Sequence, residues 1–351
     1  MQTVSVPLGE RAYDVRIASG LLDRAAEYCL PLIPGKRALL VSDQTVYALY
    51  GQRLTEALTA AGVRVAAVTF PPGEASKSLA TYEKILQAAA AVPLTGGDAF
   101  VALGGGVTGD LTGFAAATYH RGIRFMQVPT TLLAAVDSSV GGKTGVNLPA
   151  GKNLVGAFWQ PRLVLCDPDL LQTLAPARYA DGLAECLKYG VLWDEALFSQ
   201  LEQGALFRVT EEQTARCVEL KRDVVLLDER DGGQRQLLNL GHTIGHAIEQ
   251  SSGYAVSHGA AVGLGMLLMA RLFCPAIAGR LARALEANGL PTQLHLSLTQ
   301  VAEALTQDKK RVGGEITLVV PQQIGQCELR KLPVAEVQNL LCSVEAKEEM
   351  A

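Results

Sequence analysis

The first half of the chain alternates short apolar runs with segments of helical periodicity, and this alternation limits the possible folds more than any other feature. The segments 45–62 and 78–91 carry apolar residues at helical spacing. Strands that alternate with helices form a mostly parallel sheet that is covered on both faces. The pattern predicts an α/β fold with an N-terminal doubly wound, Rossmann-like domain. Its predicted strands are 37–43, 63–70, 98–106 and 124–131.

After Pro168 the pattern changes and helical periodicity dominates. Only EITLVVP (315–321) is typical of a strand there. A chain of 351 residues is long enough for two separate cores. We therefore expect an α/β domain over 1–170 and a mainly α-helical C-terminal domain over 171–351. The predicted helices of the second domain are 176–191, 211–228, 239–251, 258–273 and 279–289.

The charge balance argues against a polyanionic partner. Lys and Arg number 31 against 35 Asp and Glu, which gives a net charge of −4, so any anion binding must be local.

The most apolar stretch is interrupted by Arg271 and Pro275, well short of the ~20 residues of a spanning helix. The seven cysteines are scattered, and no signal peptide is evident. We expect a cytoplasmic protein with no nucleic-acid or membrane partner.

A glycine-rich turn follows the third predicted strand. Gly104, Gly106 and Gly109 lie in LGGGVTGD, between a strand and a helix. Glycines at such a turn let the backbone approach a pyrophosphate at the helix N-terminus, although a tight turn without a ligand has the same pattern. Asp43 ends an earlier strand, where a carboxylate can bind a ribose diol or cap the next helix. The residues alone leave both alternatives open.

Three of the five histidines lie within seventeen residues. His242 and His246 are four apart and share one helix face, and His258 begins the next predicted helix. Imidazole suits zinc, and catalytic zinc typically has three protein ligands and one open position. Glu185, in ARYADGLAECLKYG, is a candidate third ligand. The spacing does not decide which histidine binds metal and which transfers protons, and a metal-free HxxxH pair is the alternative.

Several cationic side chains are candidates for binding an anionic substrate. Lys143 and Lys152 lie in a predicted glycine-rich loop, 136–153, which favours contact with a phosphate. Most lysines and arginines are solvated surface charges, and spacing alone does not bring these together. The other candidates are Lys188, Lys221, Arg235 and the pair Lys309–Lys310.

Six sequence blocks follow one another along the chain. They are GGGVTGDLTGFAAATYHRG, QVPTTLLAAVDSSVGGKTGVN, GKNLVGAFWQP, GLAECLKYG, RQLLNLGHTIGHAIE and HGAAVGLGM. With these blocks the chain resembles the 3-dehydroquinate synthases over nearly its whole length. The resemblance implies an NAD- and zinc-dependent (or cobalt-dependent) lyase of the shikimate pathway. Such an enzyme converts 3-deoxy-D-arabino-heptulosonate 7-phosphate, a sugar-acid phosphate, into 3-dehydroquinate and phosphate.

The resemblance also implies roles for individual residues. The first domain would bind NAD, and the second would bind metal through Glu185, His242 and His258, with His246 as a proton-transfer residue. The NAD contacts would be Asp43, Glu74, Lys77, Gly105, Gly106, Val107, Thr108, Gly109, Asp110, Thr130, Thr131, Lys143, Lys152, Leu170, Leu171, Gln172 and Thr173. The substrate pocket would hold Asp137, Lys143, Lys152, Asn153, Lys188, Lys221, Arg235 and Asn239.

Two further phosphate contacts follow from the same resemblance. Arg121 in YHRG matches an arginine that reaches the phosphate site of a neighbouring subunit, which implies a homodimer. Either Lys309 or Lys310 matches another phosphate contact. The chain departs from the family at Ala260, usually Glu, and at Tyr179-Ala180-Asp181, where an arginine is common.

Three other functions compete with this interpretation. A sister sugar phosphate cyclase, such as a 2-deoxy-scyllo-inosose or valiolone-type synthase, would use a substrate without a carboxylate. Lys221, Arg235 and Asn239 favour the carboxylated substrate. A metal-dependent polyol dehydrogenase would release NADH and would not need so many cations. A non-catalytic nucleotide-binding protein would explain neither the histidines nor the lysines.

Overall fold

The computed structural model describes residues 1–305 and 314–349, with side chains described as far as residue 344. It divides into two compact units. One unit comprises Met1–Leu174 and Thr210–Arg230, and the other comprises Ala175–Val209 and the chain from Asp231 onward. Among the helices of the described residues, none is both long and apolar enough to cross a membrane.

A seven-stranded sheet forms the centre of the first unit. The strand order is β1-β2-β9-β6-β5-β3-β4, and all neighbouring pairs are parallel except the antiparallel pair β1–β2. This parallel sheet, with cores on both faces, confirms the predicted doubly wound α/β fold. The strands of the unit are β1 (Gln2–Val6), β2 (Tyr13–Ile17), β3 (Arg37–Asp43), β4 (Arg64–Phe70), β5 (Ala99–Gly104), β6 (Arg124–Pro129), β7 (Lys143–Leu148), β8 (Gly151–Phe158) and β9 (Leu163–Cys166).

Helices cover both faces of this sheet. Because successive side chains of a strand point to opposite faces, Leu40 and Val101 pack into one core, whereas Leu39 and Phe100 pack into the other. A π-helical turn, Tyr47–Gly51, joins two of the helices. The helices of the unit are α1 (Ala25–Cys29), α2 (Gln44–Val46), α3 (Gln52–Ala60), α4 (Leu79–Ala91), α5 (Gly106–Thr118) and α8 (Glu211–Leu227).

The glycine-rich segment 136–153 is not the loop that its composition predicts. It contains β7 and the start of β8, which pair as an antiparallel hairpin. A Cβ atom on Gly145 would lie 2.5 Å from the carbonyl oxygen of Val155. The glycine therefore permits a close approach of two strands, a role that composition does not distinguish from a loop.

The second unit is mainly helical, as predicted. The helix predicted over 211–228 lies instead in the first unit as α8, because its Ala215 and Val218 pack into a core of the sheet. Strands β10 (Glu315–Gln323) and β11 (Gln326–Pro333) pair antiparallel in this unit. The sequence pattern missed β11 because its residues are mostly polar and partly exposed. The elements of this unit are α6 (Pro176–Trp193), α7 (Glu195–Leu201), α9 (His242–Ser251), α10 (His258–Phe273), α11 (Pro275–Ala287), α12 (Leu298–Ala304), β10 (Glu315–Gln323), β11 (Gln326–Pro333) and α13 (Val334–Glu349).

Glycines let three helices of the second unit approach one another closely. Gly241, which precedes α9, has a φ of 76°, and a Cβ atom on it would lie 2.5 Å from the carbonyl oxygen of Val262 in α10. A Cβ atom on Gly265 would lie 2.1 Å from the carbonyl oxygen of Gly241. A Cβ atom on Gly259 would lie 2.3 Å from the Cα atom of Asp181 in α6. The N-terminal end of α10 is therefore held against α6, and its middle against the start of α9.

We expect Gly265→Ala to lower the free energy of unfolding by about 1–3 kcal/mol, because the added methyl group would force α9 and α10 apart. Urea denaturation measures this change. The matched control is Gly279→Ala at an exposed position of α11, where the nearest atom would be Arg283 Nη1 at 3.7 Å. That substitution should be neutral or stabilising by up to about 1 kcal/mol. Equal destabilisation by both substitutions would contradict the close-packing argument.

Candidate functional site

Glu185, His242 and His258 bring their polar atoms together in the second unit. The Nε2 atoms of His242 and His258 lie 3.5 Å and 3.6 Å, respectively, from Glu185 Oε1. These separations exceed those of good hydrogen bonds. Two ligand atoms on one tetrahedral zinc ion are about 3.4 Å apart, since each lies about 2.1 Å from the ion. The three residues therefore have the spacing of ligands to a single metal ion.

Contacts behind the ligand atoms set the orientation of the imidazoles. His242 Nδ1 lies 3.1 Å from the carbonyl oxygen of Leu240, which can only accept a hydrogen bond, so Nδ1 carries the proton. The lone pair of His242 is therefore on Nε2, which faces Glu185. His258 Nδ1 lies 3.5 Å from Glu249 Oε2. Metal-binding histidines typically make this kind of outer contact with a carbonyl or carboxylate group.

The charges around the cluster set the protonation states of the two imidazoles. Glu185 is fully buried and forms an ion pair with Lys188, which is also buried. Burial, together with the Lys188 ammonium group, holds the pKa of His242 well below its ordinary value, so this imidazole is neutral, as a metal ligand must be. Burial alone would lower the pKa of His258, but its contacts with Glu185 and Glu249 outweigh that effect and raise the pKa to about 10. The same carboxylates would favour a metal ion, whose binding displaces the proton.

His246 lies beside this cluster and is exposed. Its ring centroid is 5.7 Å from that of His242 and 6.2 Å from that of His258. His246, Glu249 and His258 form a second group whose ligand atoms lie within 4.8 Å of one another. The group that contains Glu185 is the better metal site, because its carboxylate is fully buried and faces two imidazole nitrogens. An accessible imidazole next to that group suits proton transfer.

Asp181 anchors the N-terminal end of α10 and was not singled out as a site residue from the sequence. Asp181 Oδ1 accepts hydrogen bonds from Ser257 Oγ at 2.5 Å and from the backbone N–H of Gly259 at 3.2 Å. Asp181 lies four residues before Glu185, so both side chains leave the same face of α6. Asp181 thus caps the helix that begins at His258 and helps to place that ligand. The four-residue spacing was the signal available in the sequence.

In the first unit, the glycine-rich turn joins β5 directly to α5. A Cβ atom on Gly109 would lie 2.5 Å from Gln127 Oε1 in β6, and one on Gly105 would lie 3.0 Å from Thr131 Cγ2. Close packing of helix against strand is one of the roles that glycine has in dinucleotide-binding turns. Of the other candidate residues of this segment, Val107 and Thr108 lie in the first turn of α5, and Asp110 is the fifth residue of that helix.

Asp43 caps a helix in the structure. Its Oδ1 atom accepts a hydrogen bond of 3.0 Å from the backbone N–H of Val46. The capping interpretation of DQTV therefore holds, and contact with a ribose stays a prediction. The segment Leu170–Thr173 lies in a 3-10 turn, where Thr173 Oγ1 is 2.7 Å from the hydroxyl of Tyr50.

A polar network links several of the predicted contact residues of this unit. Lys77 Nζ lies 2.5 Å from Asp110 Oδ2 and donates a hydrogen bond of 2.6 Å to Asn153 Oδ1. Asn147 connects the remaining members, because it donates to Glu74 Oε1 at 2.7 Å and accepts from the backbone N–H of Asn153 at 2.9 Å. The structure thus brings together residues predicted to contact NAD and a residue predicted to contact phosphate. Asn147 was missed because nothing in its local pattern marks it.

Other predicted residues of the first unit lie in distinct places. Lys221 Nζ on α8 lies 2.7 Å from Asp137 Oδ1 and 2.6 Å from the Asp137 carbonyl oxygen. Lys143 and Lys152 lie on β7 and β8. Arg121 is exposed, between α5 and β6, with a left-handed φ of 61°.

The remaining predicted substrate residues of the second unit lie near the start of α9. Arg235 is only 2% exposed, in the 3-10 turn Gln234–Asn239. Asn239 is the last residue of that turn and is half-buried. Lys309 and Lys310 lie outside the described residues.

Family models match the chain along most of its length. The N-terminal model of 3-dehydroquinate synthase matches residues 67–181, and the C-terminal model matches residues 182–311. The chain belongs to the 3-dehydroquinate synthase family. It is therefore an enzyme of the sugar phosphate cyclase superfamily.

Solved structures of other sugar phosphate cyclases resemble this chain. A 2-deoxy-scyllo-inosose synthase complexed with carbaglucose-6-phosphate, NAD+ and Co2+ is 24% identical, with a TM-score of 0.87 over 97% of this chain and 100% of that chain. A 2-epi-5-epi-valiolone synthase from Streptomyces hygroscopicus subsp. jinggangensis 5008, with NAD+ and Zn2+ bound, is 28% identical, with a TM-score of 0.84 over 95% of this chain and 97% of that chain.

A dehydrogenase shares the fold more distantly. A probable glycerol dehydrogenase from Sinorhizobium meliloti 1021 is 20% identical, with a TM-score of 0.63 over 96% of this chain and 97% of that chain. That similarity concerns the fold alone.

We expect His242→Ala to abolish stoichiometric binding of Zn2+ or Co2+ at concentrations that saturate the wild-type protein, because one of three ligands is lost. Equilibrium dialysis followed by elemental analysis measures the bound metal. The matched control is His295→Ala, which removes an exposed imidazole outside the cluster and should retain one ion per chain. Wild-type metal content in His242→Ala would contradict the ligand assignment.

We expect Lys77→Met to change how stability depends on pH. Burial raises the pKa of Asp110, and Lys77 opposes this rise, so removing the ammonium group raises the pKa further. A carboxyl group with a higher pKa in the folded state favours folding at low pH, and this contribution is lost as the pH rises through that pKa. The free energy of unfolding of Lys77→Met should therefore fall more steeply than that of the wild type as the pH rises from about 3.9, the ordinary pKa of an aspartate, through the higher pKa of Asp110 in the folded variant.

Urea denaturation at several pH values measures this difference. The matched control is Lys84→Met, which removes an exposed ammonium group that donates a hydrogen bond to the carbonyl oxygen of Thr69. Its pH profile should follow that of the wild type. Parallel profiles for Lys77→Met and Lys84→Met would show that Lys77 does not hold the charge of Asp110.

Proposed function

We propose that the chain is a 3-dehydroquinate synthase, a phosphate-eliminating lyase of aromatic amino acid biosynthesis. Its substrate would be 3-deoxy-D-arabino-heptulosonate 7-phosphate, and its products 3-dehydroquinate and phosphate. The reaction combines transient oxidation, phosphate elimination, re-reduction, ring opening and aldol closure. The observation that carries the proposal is the metal-ligand spacing of Glu185, His242 and His258 in a chain of this family. We further propose that the enzyme is a cytoplasmic homodimer.

The donor sets fit the two proposed cofactors. One carboxylate and two imidazoles suit Zn2+ or Co2+, and the glycine-rich turn before α5 suits the pyrophosphate of NAD. When bound, the metal would supply Lewis acidity at a substrate oxygen, and NAD would supply reversible hydride acceptance. A metal-bound sugar phosphate cyclase with NAD+ that is 28% identical supports this pairing of cofactors.

The residues of the chain would have distinct tasks in the reaction. His246, exposed beside the metal ligands, would accept the proton of the substrate hydroxyl group. Lys152 and Asn153 would bind the phosphate group. Lys221 and Arg235 would bind the carboxylate, because the planar guanidinium group of arginine pairs with a carboxylate through two hydrogen bonds.

The remaining predicted residues would complete these two sets of contacts. Arg121 would bind the phosphate of a neighbouring subunit's substrate. The other proposed substrate contacts are Asp137, Lys143, Lys188, Asn239 and Lys310. The proposed NAD contacts are Asp43, Glu74, Lys77, Gly105, Gly106, Val107, Thr108, Gly109, Asp110, Thr130, Thr131, Lys143, Lys152, Leu170, Leu171, Gln172 and Thr173.

A sister sugar phosphate cyclase is the second candidate. The similar 2-deoxy-scyllo-inosose and 2-epi-5-epi-valiolone synthases favour it, and the departure at Ala260 loosens the assignment of the substrate. A substrate without a carboxylate would leave Arg235 without its proposed role. The presence of Lys221, Arg235 and Asn239 favours the carboxylated substrate.

An assay of phosphate release distinguishes the candidates. We expect the enzyme with catalytic amounts of NAD to release phosphate from the heptulosonate phosphate, without accumulation of NADH. Glucose 6-phosphate, which lacks the carboxylate, should be inert, and a chelator should abolish turnover. Phosphate release from glucose 6-phosphate alone would favour the sister cyclase. Stoichiometric NADH would favour a dehydrogenase.

A further inference from the structure

Glu249 is a buried carboxylate next to a proposed metal ligand. It lies on α9, seven residues after His242 and three after His246, so it shares their helix face. Only 5% of Glu249 is exposed. Its Oε2 atom lies 3.5 Å from His258 Nδ1. The family resemblance implied no role for this residue.

The ring of His258 is partly exposed and has a carboxylate near each of its nitrogens. This residue is the first of α10, and 35% of its side chain is exposed. Its two nitrogens face different carboxylates, because Nε2 lies near Glu185 and Nδ1 lies near Glu249. An imidazole that binds metal through one nitrogen carries its proton on the other, and that proton needs an acceptor. Glu249 Oε2 is an acceptor in the required place.

The two proposed histidine ligands are oriented in similar ways. For His242, the carbonyl oxygen of Leu240 faces Nδ1 and leaves Nε2 for the metal. For His258, the Glu249 carboxylate takes the place of the carbonyl. A carboxylate adds negative charge behind the ring, which makes the ligand nitrogen a stronger donor. Burying a carboxylate is also costly unless it faces a positively polarised group, which the N–H of a metal-bound imidazole provides.

Glu249 does not have the position of a ligand to the same ion. Its Oε2 atom faces Nδ1 of His258, whereas Nε2, on the other side of the ring, faces Glu185 and His242. An ion bound at Nε2 would have the imidazole ring between it and Glu249.

We propose that Glu249 is a positioning residue. Its negative charge, 3.5 Å from His258 Nδ1, favours the tautomer that carries the proton there and presents Nε2 to the metal, and thereby raises metal affinity. This inference rests on the metal centre of the proposed function.

The test measures metal affinity in Glu249→Gln and Glu249→Ala, using the whole chain without substrate. Competition with a chromophoric chelator gives the Kd for Zn2+ and Co2+. We expect Glu249→Gln, which keeps the shape but loses the charge, to raise the Kd about tenfold, and Glu249→Ala to raise it about a hundredfold. The visible absorption spectrum of the Co2+ form at saturating metal should match that of the wild type, because all three proposed ligands remain. The matched control is Glu286→Gln, an exposed carboxylate on α11, which should have the wild-type Kd.

Two results would overturn the proposal. A wild-type Kd in Glu249→Gln would show that the carboxylate does not support the metal. A Co2+ spectrum that differs from that of the wild type at saturating metal would show that Glu249 is itself a ligand.

Failure of the proposed function gives a different result. A wild-type protein that binds Co2+ but does not turn over the heptulosonate phosphate would contradict the proposed reaction only, because the affinity series still decides the role of Glu249. A wild-type protein that binds neither ion would overturn the metal centre and the positioning role together.

Discussion

A carboxylate that is fully buried must be surrounded by positive or polarised groups, and Glu185 places this constraint on the whole second unit. Its helix, α6, supplies Lys188, while α9 and α10 supply His242 and His258. These partners come within reach only because the helices approach closely at glycine positions. In this unit, the glycines at the helix contacts and the ionisable residues around Glu185 thus serve the same arrangement of α6, α9 and α10.

Much of the fold was predictable because the spacing of apolar residues along the chain indicates its strands and helices. The buried strand β3 and the long helices α6 and α10 have strong patterns, and the structure has them within a few residues of the predicted bounds. The polar strand β11 has weak local patterning, since it depends on pairing with β10. The sequence did not predict the hairpin of β7 and β8, because a glycine-rich composition is also typical of a loop.

The candidate site was less predictable than the fold. The spacing of His242 and His246 indicated one shared helix face, but it did not show that Glu185, some sixty residues earlier in the chain, would lie 3.5 Å from His242. Spacing likewise did not show the network of Lys77, Asp110 and Asn153, because its members lie on separate elements. Such contacts depend on tertiary packing, which a single sequence indicates only through resemblance to a family.

The route of the chain has a practical consequence for dissecting the protein. Helix α8 follows two helices of the other unit, yet its residues Ala215 and Val218 share a core with Val4 and Val15 of the sheet. A fragment that stopped at residue 174 would lack the α8 side chains that complete this core. Neither unit is therefore one continuous segment of the sequence. To express the sheet unit alone, one would have to join the coding sequence of 1–174 to that of 210–230.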